Sequence, residues 1–271
     1  MYDQQYVKKR KRRKVAIIVA GISTIVVTSF AIVAFLGRHS GYFTVSLDAG
    51  KVGVTLSQSS KFETPTSYLR VDELPEFAEY TYSSIPEDGV IDNEDTNYLY
   101  GATMKKDNTV DKFNYFKYTF HIKNVGGDAC KYSMKFNIIE NSPGYDGRRL
   151  DDTLRVKIYD TSLTTGETFK DTYARKSHSY HLDENGNEDF KEAISVSERD
   201  ASPSEPFNDY ATMFESDERV ATIDVPEFKV GEIRRYTVVM WLEGFDPESL
   251  NVEPPKGASL KLGVQINAYE I

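Results

Sequence analysis

The stretch that decides the fold runs from Tyr115 to Ile138 and reads YFKYTFHIKNVGGDACKYSMKFNI. In each half, apolar side chains recur at every second position, first from Phe116 to Ile122 and then from Tyr132 to Ile138. Successive side chains of a strand point to opposite faces, so this spacing predicts two half-buried β-strands. The connection from Asn124 to Asp128 holds two adjacent glycines, which favour the positive φ angles of a hairpin loop. We therefore expect a β-hairpin here.

Five further segments show the same alternation. Their apolar residues are Val52, Val54 and Leu56; Leu154, Val156 and Ile158; Val220 to Val225; Tyr236, Val238, Met240 and Leu242; and Leu260, Leu262, Val264, Ile266 and Ala268. Long helical spacing is missing from the body of the chain. Strands with one apolar and one polar face pair antiparallel and pack against a second sheet. The sequence therefore predicts an all-β fold, an antiparallel β-sandwich.

Two long polar stretches, 57–111 and 161–216, interrupt this pattern. Structureless loops of such length are uncommon, so we expect short strands within them, for example around Tyr98 to Thr103. The segment from Asp183 to Asp189 is predicted to be an exposed turn. Neither stretch has the composition of an interdomain linker, and no repeat is visible. One domain, 37–271, is the simplest interpretation.

The charge of the chain is divided unevenly. It has 33 Lys and Arg residues against 42 Asp and Glu residues, a net charge of −9. Residues 1–14 contain one acid, Asp3, and the basic residues Lys8, Lys9, Arg10, Lys11, Arg12, Arg13 and Lys14. This segment is therefore +6, which leaves −15 for the remainder. Phosphate binding requires a basic surface, so we expect no nucleic-acid partner for the acidic body.

An apolar segment, 15–36, follows the basic residues and contains no charged side chain. At about 1.5 Å per residue a helix of this length is about 33 Å long, enough to span the hydrocarbon core of a bilayer. The lysine and arginine bias predicts a cytoplasmic N-terminus and a body outside the membrane. The alternative is a cleaved signal peptide, but the apolar region is long for one and ends without a good small-x-small site.

Few residues offer catalytic chemistry. The lone Cys130 cannot form an intramolecular disulfide, and we expect it to be a small buried residue. The four histidines, His39, His121, His178 and His181, do not form a His-Glu-x-x-His motif. The alternate oxygens of Asp183, Asn185, Asn187 and Asp189 do not have the spacing of an EF-hand loop, so a polar turn is the preferred interpretation. We expect no enzyme activity, no cofactor and no metal.

The segment WLEGFDP contains the most specific motif: Trp241, Glu243, Gly244, Asp246 and Pro247. It is predicted to be the end of a strand that turns into a loop, where Gly244 permits a positive φ and Pro247 fixes the exit. Its two carboxylates are candidate cation ligands. The preferred interpretation is structural, with Asp246 capping the turn and Trp241 packing beneath a loop.

Three segments carry a resemblance to a known family: GYFTVSLDAGKVGVTLSQS (41–59), residues 115–138, and RRYTVVMWLEGFDPES with SLKLGVQINAYE (234–249 and 259–270). They resemble camelysin and TasA-like envelope proteins of Gram-positive bacteria, over about half of the body. The resemblance implies a jelly-roll-like sandwich on the outer face of the membrane or in a matrix. It also implies that some relatives assemble into fibres by donating a strand to a neighbour.

The features together predict a membrane-anchored envelope protein that presents an interaction surface for adhesion or for contact with matrix or wall. Its one assigned partner is the lipid bilayer, through segment 15–36, while the extracellular protein or glycan partner is undefined. The alternative is a secreted matrix or fibre subunit that self-associates by strand addition after signal cleavage. A third hypothesis is an extracellular hydrolase whose site is assembled from distant acids.

Overall fold

The structure, a computed structural model, describes residues 43–71, 79–82, 85, 98–100, 103–104, 110–112, 115–175, 180–182, 188–190, 211–249 and 251–271. The chain divides into two compact units, Met1–Gly41 and Tyr42–Ile271, and the described residues all lie in the second. The basic segment 1–14 and the predicted membrane helix 15–36 lie outside the described residues. Within the described part of the chain, no helix is both long and apolar enough to cross a bilayer.

The described residues are nearly all in β-strands and their connections. The strands are β1 Phe43–Asp48, β2 Val54–Ser57, β3 Tyr68–Val71, β4 Tyr98–Tyr100, β5 Thr103–Met104, β6 Val110–Lys112, β7 Tyr115–Asn124, β8 Cys130–Ser142, β9 Leu154–Ser162, β10 Thr168–Ala174, β11 Tyr180–Leu182, β12 Glu188–Phe190, β13 Thr212–Met213, β14 Arg219–Phe228, β15 Ile233–Leu242 and β16 Ser259–Glu270. Short 3₁₀ helices cover Leu150–Asp152 and Pro247–Ser249. The prediction of an all-β class is confirmed, and each of the seven predicted segments is a strand.

Two large sheets contain most of these strands. One has five strands in the order β14-β8-β16-β1-β3, and the other has seven, in the order β13-β10-β9-β15-β7-β2 with β4 also paired to β7. Two further pairs, β5 with β6 and β11 with β12, form small two-stranded sheets. One cluster of buried side chains draws on both large sheets, and the ring of Phe43 in β1 lies 5.7 Å from that of Phe116 in β7.

The expectation of purely antiparallel pairing is wrong at two places. β1 pairs with β16 in parallel, with Phe43 opposite Leu262, and β10 pairs with β13 in parallel. A hairpin forces antiparallel pairing only on strands that it joins directly. β1 and β16 stand at opposite ends of the body in sequence, so no turn dictates their direction.

The predicted hairpin between β7 and β8 is also wrong, because β7 belongs to the seven-stranded sheet and β8 to the five-stranded one. The connection carries the chain from one sheet to the other, and neither of its glycines has a positive φ. Gly126 instead lies against the backbone of Gly53. A Cβ built on Gly53 would lie 2.5 Å from the Cα of Gly126, so the two backbones approach more closely than side chains permit.

The polar residues of the seven-stranded sheet are less exposed than the alternation predicts. In β8 buried and less buried positions alternate from Cys130 to Ile138, as expected for a half-buried strand, whereas β9 is buried along its whole length. The fully buried side chains of the seven-stranded sheet include Lys117, His121 and Arg155. Both faces of this sheet are therefore buried. The alternation of apolar and polar residues does not predict this, because the residues that bury the second face come from elsewhere in the chain.

The two long polar stretches contain strands, as expected. β4 begins at Tyr98, which confirms the short strand predicted there. The second stretch holds more structure than predicted, because β10 is an inner strand between β13 and β9. Residues 183–187 of the predicted turn lie outside the described residues, but the flanking β11 and β12 pair antiparallel.

Candidate functional site

The motif loop after β15 is the most elaborate polar site of the described residues. Glu243 continues the strand, and its N–H donates to the carbonyl of Thr153 at 2.8 Å. Thr81 lies alongside it in a parallel bridge, with the Thr81 N–H donating to Leu242 O at 2.8 Å and the Gly244 N–H donating to Thr81 O at 2.9 Å. Three distant parts of the chain therefore meet where β15 ends.

Both carboxylates of the motif are buried and hydrogen-bonded on each oxygen. Glu243 accepts from the indole Nε1 of Trp241 at 3.1 Å and from the backbone N–H of Phe245 at 2.9 Å. Asp246 accepts from the backbone N–H of Glu248 at 3.0 Å and from the guanidinium of Arg155. Because each of these oxygens holds a protein donor, the arrangement braces the loop.

Arg155 and Asp246 form an ion pair with side-chain exposures of 0% and 1%. Burial raises the pKa of Asp246 to about 7, and the neighbouring Glu248 acts in the same direction, while the guanidinium of Arg155 opposes both. The pair therefore brings a guanidinium and a carboxyl group together inside the fold. Sequence reasoning missed Arg155, because the pair joins residues 91 positions apart.

The expected role of Gly244 is wrong in its geometry, since Gly244 does not have a positive φ. A Cβ at this position would lie 2.5 Å from the ring of Tyr82, so the glycine makes room for an aromatic side chain. The ring of Tyr82 also packs edge-on against Phe245 at 5.4 Å. Pro247 opens the short 3₁₀ helix that leads out of the loop.

Trp241 lies beneath this loop in a second buried cluster, with Ile85, Tyr115, Tyr159 and Val239. The cluster lies on the face of the seven-stranded sheet that is turned away from the main core, because the alternate residues of β7 and β15 belong to the core cluster. Ile85 shows that part of the first long polar stretch covers this face.

Buried cations share that face. Lys117 and Lys157 lie opposite Val239 from its two sides, in β7 and β9. The ammonium group of Lys157 lies 5.4 Å from the centre of the Tyr159 ring, a cation–π distance. No sequence signal marked these lysines, since a lysine in a strand is usually exposed.

A second polar network joins the two large sheets through the core. The hydroxyls of Tyr132 in β8 and Tyr236 in β15 are 2.6 Å apart, and that of Tyr236 also donates to Asp160 at 3.2 Å. Arg234 donates to the same carboxylate oxygen at 2.8 Å. Burial raises the pKa of Tyr132, of Tyr236 and of Asp160. At neutral pH both phenols therefore remain protonated and able to donate.

The other candidate residues do not converge. Cys130 is buried, as predicted, and burial raises the pKa of its thiol, which disfavours the thiolate that nucleophilic chemistry needs. His121 packs edge-on against Phe62 at 6.4 Å. His39 and His178 lie outside the described residues, and His181 lies in β11.

The predicted absence of a metal site stays a prediction. Among the described residues, no group of three or more His, Cys, Asp and Glu side chains is placed to hold a metal ion. Asp183, Asn185 and Asn187, which were compared above with a calcium-binding loop, lie outside these residues, and Asp189 lies in β12.

Comparison of the chain with protein-family models, with curated proteins and with solved structures finds no match. The similarity to camelysin and TasA-like proteins therefore continues to rest on the three sequence segments alone.

Proposed function

We propose that the chain is a non-enzymatic, single-pass membrane protein of a bacterial cell envelope, with its N-terminus in the cytoplasm. Its body is displayed outside and presents an interaction surface for adhesion or for contact with matrix or wall. The observation that carries this proposal is the charge order of the sequence: a segment of +6, an uncharged apolar stretch, and then an acidic remainder of −15. That order is the one that the positive-inside rule associates with a cytoplasmic N-terminus.

The proposed body is a jelly-roll-like β-sandwich. Two observations support the sandwich: one buried cluster draws on both large sheets, and the Tyr132–Tyr236 hydrogen bond joins β8 to β15. The motif Trp241 to Pro247 serves this body as a brace, since its carboxylates hold backbone amides, an indole and Arg155. A structural role for the motif agrees with a protein that binds by its surface.

Protease accessibility on intact cells that produce the full chain tests the topology. The proposal expects added protease to degrade the body without permeabilisation, while a cytoplasmic marker protein stays intact. A variant with all seven basic residues of 8–14 replaced by glutamine is the matched comparison. It loses the orientation signal, so a fraction of its molecules should insert the other way round and have a body protected from the added protease. A wild-type body that resists protease until the membrane is opened would overturn the proposed topology.

The N-terminus of the mature protein separates the anchored form from the secreted-subunit alternative. β1 begins at Phe43 and lies inside its sheet, between β16 and β3, so processing has to leave Phe43 in place. The anchored form predicts an intact mass that begins at Met1 or Tyr2. A mass that begins between Arg38 and Phe43 would favour the secreted subunit.

A further inference from the structure

β14 is the long edge strand of the five-stranded sheet. It spans Arg219–Phe228 and, among the described strands, pairs on one side only, with β8. An edge of that length exposes a row of backbone donors and acceptors to which another chain can add a strand. The other ends of the two large sheets are short, since β3 and β2 have 4 residues each and β13 has 2. β14 is therefore the edge where strand addition would gain most.

The structure shows this edge partly covered by Glu215. Its carboxylate accepts the backbone N–H of Thr222 at 2.7 Å and the hydroxyl of Thr222 at 2.8 Å. The backbone of Glu215 also donates to Val220 O at 3.3 Å, and Ser216 bridges to Arg219. Glu215 and Ser216, which precede β14 in the chain, thus fold back along its outer side.

The rest of the edge offers little to a partner. In an antiparallel strand, every second residue directs its backbone N–H and C=O away from the neighbouring strand. Since the amide of Thr222 points away from β8, the backbone groups of Asp224 and of position 226 are expected to do so as well. Asp224 is exposed and charged, and Pro226 has no N–H. The pairing of β14 with β8 is also irregular on both sides of this stretch. Only the groups around Thr222 and Asp224 are suited to a strand partner.

We propose that Glu215 keeps the chain from self-association by occupying the β14 edge, and that the partner it excludes is β14 of a second copy. Two copies related by a two-fold axis through Ile223 would place Thr222 of each opposite Asp224 of the other. Each such pair can exchange both of its backbone hydrogen bonds, and this arrangement keeps the two Asp224 carboxylates from facing each other. The same amide of Thr222 cannot serve Glu215 and a second strand. This inference is independent of the membrane anchor.

The test compares Glu215→Ala with Glu218→Ala in the full chain, purified in a mild detergent. Both residues are exposed, belong to the same turn and lose the same charge, but within the described part of the chain the Glu218 carboxylate forms no hydrogen bond or ion pair. Light scattering that separates protein from detergent mass gives the association state across a concentration series. We expect E215A to dimerise about ten- to a hundredfold more strongly than the wild type, and E218A to behave like the wild type.

A double variant identifies the surface. Asp224→Pro removes an outward amide and no bond to β8, so E215A/D224P should return to the wild-type mass. Association of the double variant as strong as that of E215A would overturn the proposal, as would an E215A protein of native circular dichroism and unchanged mass.

Hydrogen exchange of the wild-type protein tests the same contact without a variant, and so also serves if E215A does not fold. The amides of Thr222 and Asp224 both point outward, but only that of Thr222 is held by Glu215. We expect the Thr222 amide to exchange more slowly than that of Asp224. Equal exchange at the two positions would show that Glu215 does not cover the edge in solution.

Discussion

Replacement of Arg155 by Met, in the buried ion pair with Asp246, should destabilise the body strongly. The side chains of this pair are 0% and 1% exposed, whereas those of the surface pair Arg148–Asp146 are 35% and 45% exposed. Removing one partner of a buried pair leaves an uncompensated charge and costs about 3 to 5 kcal/mol. Breaking an exposed pair costs about 0 to 1 kcal/mol. R148M, which also removes an exposed hydrogen bond to Glu253 O, is therefore the control.

Urea unfolding of the full chain in mild detergent at pH 8 measures the difference. With a slope of about 3 kcal/mol per molar urea, the midpoint of R155M should fall by about 1 to 2 M, and that of R148M by less than about 0.3 M. The loss in R155M should shrink at pH 5, where the carboxyl of Asp246 takes up a proton and leaves no buried anion. R155M/D246N should recover part of the loss, because asparagine is neutral and still accepts the Glu248 amide. Similar losses in R155M and R148M would refute the reasoning.

Three further outcomes are expected. Gly53→Ala should lower the free energy of unfolding by about 1 to 3 kcal/mol, because the added Cβ would meet the backbone of Gly126. Gly127 has open space around it, so Gly127→Ala should be nearly neutral in the same urea titration. Cys130 should react with a thiol reagent much more slowly in the native protein than in urea, because burial raises the pKa of its thiol, and equal rates would contradict this. The stability advantage of wild type over Asp246→Asn should decrease from pH 5 to pH 8. The pKa of Asp246 is about 7 in the folded state and about 3.9 in the unfolded state, so the folded state binds an extra proton and loses this stabilisation as the pH rises. A difference in melting temperature that grows with pH would exclude the effect.

The strands were predictable where local spacing decides them. β7 and β8 each repeat an apolar side chain at every second position, and a strand is the one regular structure that places such residues on a single face. The prediction of a hairpin between them failed, because two adjacent glycines suit several kinds of connection. In the structure Gly126 lies close to Gly53, which is far away in sequence, while Gly127 has open space around it.

The polar features of the fold depend on contacts that sequence spacing does not record. Arg155 and Asp246 meet across 91 positions, and the parallel pairing of β1 with β16 joins the two ends of the body. The burial of Lys117 depends on what lies over the second face of its sheet, where Ile85 of the first long polar stretch belongs to the same buried cluster as Trp241. The motif from Trp241 to Pro247 could be located from sequence, but not the partner of its aspartate.

The choice between an anchored surface protein and an assembling subunit depends on the sheet edges. Strand addition needs an open row of backbone groups. β14 has its central amide bound to Glu215 and a proline two positions beyond Asp224, and the opposite edge of the same sheet, β3, has 4 residues. Assembly through the β14 edge would therefore have to release Glu215, whereas an anchored protein that binds through its surface does not need this step. Since Glu215 of the same chain covers the β14 edge in the wild type, self-assembly through β14 requires that this contact be broken. The E215A substitution removes the contact without any processing of the N-terminus.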